Sequence, residues 1–172
     1  MILKETLFYK EAIYTELENI NKILAKRNLY LNLKILGGAA LIFNGITTVA
    51  TDDIDTIRQI SADVQEICDE SSLDINTDAM DYIEDFVDSE FVIDDYETFS
   101  NIYIEYLSLI DTIRTKLKNC QDEDKAEKLR YLLEDEYEIE MTIDGISDFI
   151  KDYGGKPDLH DIKEFLLFIG YM

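Results

Sequence analysis

One proline and seven glycines in 172 residues are too few turn formers for a collagen-like, low-complexity or turn-rich all-β chain. The two cysteines, Cys68 and Cys120, stand far apart, with neither a disulfide framework nor metal-ligand spacing. That predicts a reducing, cytoplasmic setting. No apolar run approaches the roughly 20 residues a membrane span requires, and residues 1–10 lack the charged-then-apolar layout of a secretory signal, so no membrane association is expected. Basic side chains are scarce as well: 16 Lys plus Arg face 38 Asp plus Glu, for a net charge of −22. What the chain does have is apolar mass. Hydrophobic residues make up 47%, with 11 Tyr and 8 Phe, which supplies a core and excludes the disordered class despite the acidity. At this length the expectation is one domain, or one domain with a helical extension.

The charge is unevenly spread. Residues 1–34 carry 6 basic and 4 acidic side chains, residues 35–113 carry Arg58 alone against 19 acidic ones, and residues 114–172 carry 9 against 15. A middle section at −18 repels phosphate backbones unless cations bridge, so direct DNA binding through a basic patch is not expected. Acidic faces that keep a chain dispersed account for such charge in general, and a basic protein partner is the other use for it.

Periodicity places the elements. Glu5–Asn28 reads as an amphipathic helix on Leu7, Ile13, Leu17, Ile20 and Leu24. Leu29–Leu36 alternates, with Leu29, Leu31, Leu33 and Ile35 on one face, and reads as a strand. Gly37-Gly38 breaks it, and Ala39–Asn44 reads as a short apolar helix ended by Gly45. Asp52–Arg58 is a second strand by the alternation of Ile54 and Ile57. Residues 61–72 and 77–88 look helical, and Asn101–Leu107 is a third strand, β-branched and aromatic. Leu109–Asn119, Glu123–Glu138, Ile143–Tyr153 and Asp158–Ile169 make a helical C-terminal third. A soft seam is expected near residue 120, dividing a 1–120 core from a 121–172 helical extension packed on it as a single unit.

One constellation carries chemistry. Asp53 and Asp55 flank Ile54, and a period of two puts both carboxylates on one face of their strand. Side by side they repel, and each gains by sharing a cation. Hard oxygen ligands of this kind suit Mg²⁺, which takes one or two carboxylates and fills its octahedron with water and substrate phosphates. Glu105 on the third strand is a candidate third ligand. The Gly37-Gly38 pair, without Cβ atoms, leaves backbone N–H groups open to phosphate oxygens where a helix begins. Each part also has an ordinary reading: a D-x-D pair as a solvated strand edge, Gly-Gly as a tight turn, Glu105 as a surface residue. The order strand, Gly-Gly, short apolar helix, Asp-Ile-Asp strand is more specific than its pieces.

That order, LKILGGAALIFNGITTVATDDIDTI, resembles the opening motif of the DNA polymerase β-type nucleotidyltransferase superfamily. Within it the chain is most similar to the AbiEii-like and MenT-like group of toxin–antitoxin and phage-defence systems. A Thr-x-Asp-hydrophobic-Asp strand follows the glycines there, matched by Thr51, Asp53, Ile54 and Asp55. LIDTIRTKL resembles the segment whose lysine opens a helix after a strand, at Lys116. KPDLHDI resembles the family's ending of a basic residue followed by two spaced Asp, at Lys156, Asp158 and Asp161. The resemblance covers residues 30–60 well, and 100–120 and 155–170 loosely.

The resemblance implies an α+β fold, a small mixed sheet flanked by helices with a helical C-terminal part. It also implies transfer of a nucleoside monophosphate from a nucleoside triphosphate to an RNA or protein acceptor. Two Mg²⁺ ions would be held by Asp53 and Asp55, with Glu105 as the candidate third ligand. Gly37, Gly38 and Thr51 would lie against the nucleotide, Lys116 would offset triphosphate charge, and Asp158 or Asp161 would orient it or act as a base. The chain departs from the family where Ala39 and Ala40 follow the glycines in place of Ser or Thr, and where Thr48 stands in place of Arg. These departures keep a different class open, an inactive member of the fold that acts as an acidic, antitoxin-like binding module. His160, the single histidine, reads as a surface or capping residue. Phe165, Leu166, Phe168 and Ile169 read as core or an oligomer contact, and Tyr82, Tyr96, Tyr103 and Tyr106 as candidate base-stacking side chains without preference among them.

Overall fold

The amphipathic stripe at the start of the chain forms helix α1 (Lys10–Arg27), which buries Ile13, Tyr14, Leu17, Ile20 and Leu24 along one side. It stops where Asn28 turns left-handed, with φ of 54°; asparagine tolerates that conformation better than most residues. The computed structural model describes residues 9–95, 98–120 and 122–172, so Leu7 and Tyr96 lie outside the described residues. The chain falls into two units, 1–109 and 110–172. That division and the expected seam near residue 120 differ by one helix.

The first unit is built on a mixed sheet. Strands β1 (Leu31–Leu36), β2 (Asp53–Thr56), β3 (Asp74–Asn76), β4 (Phe91–Ile93) and β5 (Ile102–Leu107) lie in the order β3-β2-β1-β5-β4. β1 runs antiparallel to β2 and parallel to β5, β2 runs parallel to β3, and β4 runs antiparallel to β5. Helix α2 (Gly37–Phe43) follows β1 directly, and α3 (Ala62–Glu70) joins β2 to β3. The alternating apolar residues Leu31, Leu33, Ile35, Ile54, Ile75, Ile102 and Ile104 are buried in one core with the stripe of α1, Val64 and Ile67 of α3, and Phe43 of α2.

Polar clasps hold the ends of the strands. The buried Asn101 donates from Nδ2 to the Leu29 carbonyl at 2.8 Å, and its N–H donates to Asn21 Oδ1 at 2.8 Å. This joins α1 to the start of β5. Asn44 donates to the carbonyls of Ala40 and Leu107, tying the end of α2 to the end of β5. The fully buried Thr56 hydroxyl accepts from the Lys34 N–H at 2.8 Å.

Three sequence expectations change here. Residues 77–88 do not form an α-helix. Asp78–Phe86 is a 3₁₀ segment with no fully buried residue; only Ala79 and Phe86 pack, partly buried, against the core, too little apolar contact to repay the entropy of a regular helix. β3 and β4, three residues each, are additions to the expected strands; elements this short carry no readable alternation and exist because β2 and β5 pair with them. Ile57 is buried but lies past the end of β2, whose inward residues are Ile54 and Thr56.

The second unit is helical: α4 (Leu109–Lys118), α5 (Glu123–Arg130), α6 (Ile143–Asp152) and α7 (Leu159–Phe168). α5 runs on as a π-helical turn, Tyr131–Glu136, where Arg130 meets Glu127, Glu134 and Asp135 at 2.7 to 3.3 Å. Asp122, Thr142 and Asp158 cap the starts of α5, α6 and α7 with side-chain oxygens, as such residues do when they accept from otherwise unpaired first-turn N–H groups. Phe165 and Leu166 are buried, whereas Phe168 is exposed, so the C-terminal aromatic cluster is only partly core. No helix among the described residues is long and apolar enough to cross a membrane.

Candidate active site

The turn from β1 into α2 requires glycine. Gly37 opens α2 at φ +64°, a left-handed conformation that costs an ordinary L-residue about 1–2 kcal/mol. The turn also brings the pair against the next strand. A Cβ on Gly37 would lie 3.5 Å from Asp55 Oδ2, and one on Gly38 would lie 3.7 Å from Thr51 Oγ1. The four residues that the sequence pattern joined are therefore neighbours in space.

Asp53 and Asp55 share the face of β2 opposite the buried Ile54, and both are half-buried. The Thr51 hydroxyl sits over Asp53, donating to its carbonyl at 2.9 Å and lying 3.3 Å from Oδ1. Register adds two neighbours that the sequence did not announce: Asp74 beside Asp53, and Asn76 beside Asp55. The Asp53 carboxyl is pushed from 3.8 up to about 6, first by burial, then by the charges of Asp55 and Asp52; the Thr51 hydrogen bond acts the other way without reversing it. Asp55 has an interaction partner of its own. Among the described residues no three acidic, histidine or cysteine side chains converge as a ready-made ligand cluster.

Glu105 lies on the same sheet face but in another row. It pairs in register with Lys34, not with Leu36, which stands opposite Asp55. Two strand spacings of ~4.8 Å separate β5 from β2, and Glu105 makes an ion pair with Arg58 at 3.7 Å. Lys34, whose ammonium stands 4.2 Å from the Phe91 ring centroid, is a second cation on this face. The alternation of Leu31, Leu33 and Ile35 already pointed it outward, though charge counted along the chain left it in the N-terminal section.

Lys116, Asp158 and Asp161 belong to the second unit. Asp158 caps α7, accepting from the N–H groups of His160 and Asp161 at 3.0 and 3.2 Å, which also accounts for the exposed His160 beside it. The Asp161 carboxyl is raised by burial first and Asp158 second, against the lowering influence of His160, Lys118 and Arg114. Lys116 lies in α4 and has an interaction of its own. Tyr82 and Tyr103 are exposed, and Tyr106 packs against Phe43 with centroids 5.7 Å apart.

No curated protein and no solved structure matches the chain. A family model described as "Nucleotidyltransferase of unknown function (DUF6036)" matches residues 12–144. That span takes in the whole described sheet and the Asp-Ile-Asp strand, and the chain belongs to this nucleotidyltransferase family.

Proposed function

We propose that the protein is a Mg²⁺-dependent nucleotidyltransferase that moves a nucleoside monophosphate from a nucleoside triphosphate to an RNA or protein acceptor, in a toxin–antitoxin or phage-defence role. One observation carries the proposal. The Gly37-Gly38 turn stands against Thr51 and Asp55, next to a second carboxylate, Asp53.

The residues present fit a divalent cation. Two carboxylates two positions apart on one strand face, one of them raised to about 6, gain more from a cation than isolated surface acids do. The glycine turn leaves open the space that a Cβ would fill. A Mg²⁺ ion held by Asp53 and Asp55 would neutralise phosphate charge and polarise the phosphate oxygens. The chain's own residues do the rest. Asp53 and Asp55 hold the cation and, as ionised carboxylates, can accept the acceptor hydroxyl's proton. Thr51 steadies Asp53, and Gly37 and Gly38 let the phosphates approach the backbone. The acceptor oxygen attacks the α-phosphorus, an O–P bond forms, and the bond to the bridging oxygen breaks to release pyrophosphate. Lys34, on the same sheet face, supplies positive charge that the Thr48 position lacks.

The test is calorimetric titration of NTP in the presence of Mg²⁺ into wild type and Asp53→Ala. Binding in the wild type and its loss in the variant are expected. No binding by the wild type at millimolar nucleotide refutes the proposal. It would favour the second reading, an acidic module for a basic protein partner. That reading draws on the 3₁₀ segment and the residue after it, where Tyr82, Ile83 and Val87 are exposed among carboxylates.

A further inference from the structure

Asn76 ends β3 in parallel register with Asp55, so the two side chains leave the sheet on the same face, one strand apart. Its amide oxygen is buried and has no hydrogen-bond partner, the one such side-chain atom among the described residues. Native proteins rarely leave a buried acceptor unmet, and such atoms ask for an explanation. The polar side chains beside it in register are carboxylates, Asp55 and, one row on, Asp53 and Asp74. Ionised carboxylates accept and cannot donate, so they cannot satisfy it. A cation can, because hard divalent ions take neutral amide oxygens together with carboxylates.

We propose that Asn76 Oδ1 is the third protein donor of the cation site, completing an all-oxygen set with Asp53 and Asp55. The inference rests on the nucleotidyltransferase reading and names which side chain finishes its site. A neutral donor suits this position for an electrostatic reason. The charges of Asp55, Asp52 and Asp74 already bear on Asp53, and a further carboxylate would add to that repulsion, whereas an amide adds a lone pair without charge. Glu105, the acidic alternative, is engaged by Arg58 across the sheet.

Manganese is the probe, because its spectrum reports binding without any turnover. The full-length protein, Asn76→Ala, Asn76→Leu, Asn76→Asp and Asp53→Asn are titrated with Mn²⁺ by electron paramagnetic resonance and melted with and without Mg²⁺. The expected result is a Kd raised at least about tenfold in Asn76→Ala, since losing even an outer-shell partner of a metal costs about that much. Asn76→Leu should melt higher than wild type without metal, since the unmet acceptor is gone, and should lose the rise that Mg²⁺ gives the wild type. Asn76→Asp should bind at least as tightly as wild type. If wild type binds Mn²⁺ and Asp53→Asn does not, while Asn76→Ala binds unchanged, this inference falls and the nucleotidyltransferase reading stands. If wild type binds no Mn²⁺ at millimolar concentration, both fall. Should the alanine variant not fold, a folded Asn76→Asp with weaker binding overturns the inference by itself.

Discussion

Replacing Asp53 by asparagine should stabilise the metal-free protein at neutral pH, a reversal of the usual outcome for a surface-strand acid. The Asp53 carboxyl lies at about 6 instead of 3.8, a displacement equivalent to about 3 kcal/mol at 1.36 kcal/mol per pH unit. Because the side chain is only half-buried, solvent screening reduces this to about 1.5 kcal/mol. The sign follows from proton binding. The folded chain holds the Asp53 proton to higher pH than the unfolded chain does, so stability falls as pH rises between about 4 and 6 and stays reduced above that window. The amide of the Asp53→Asn variant carries no charge and lacks this loss. Urea denaturation across pH 3.5–8, without metal, should therefore find the variant more stable by about 1.5 kcal/mol at pH 7.5, about 3–6 °C in melting temperature for a chain of this size. The gap should close below pH 4. An Asp53→Asn protein that is less stable at pH 7.5, or a gap that does not shrink on acidification, would refute the electrostatic account of the site. Saturating Mg²⁺ should reverse the order, since only wild type keeps both carboxylates for the ion.

Gly37→Ala must adopt φ +64° with its methyl 3.5 Å from Asp55 Oδ2; the expected cost is about 1–2 kcal/mol by thermal unfolding, with weaker Mg²⁺–NTP binding by calorimetry than in Gly38→Ala, whose methyl meets no such backbone strain. Asn101→Ala leaves the Leu29 carbonyl without the Nδ2 donor it now has, and should cost the protein about 2 kcal/mol in urea denaturation with no change in nucleotide binding.

Much of the first unit can be read along the chain because its signals are local. The alternation of Leu31, Leu33 and Ile35 predicts β1, and the stripe from Ile13 to Leu24 predicts α1; both are buried as the periods require. Gly37-Gly38 and Asp-Ile-Asp can be paired by resemblance alone, and their proximity in space follows from an antiparallel β1–β2 pair joined through a short helix. β3 and β4 cannot be read, since three residues carry no period. The stretch 78–86 is helical as its pattern suggests, but as a 3₁₀ segment, because only Ala79 and Phe86 pack, partly buried, against the core.

What the sequence alone determined is therefore much of the core, the order of the main elements and the pairing of Asp53 with Asp55 on one strand face, all set by side-chain period and glycine position. Tertiary structure decided what surrounds those carboxylates. Strand pairing set Asp74 and Asn76 beside them, placed Lys34 on their face, and left Glu105 a row away with Arg58. Burial then raised the Asp53 carboxyl. These are effects between residues far apart along the chain, fixed by sheet register, and register exists only once the strands have paired.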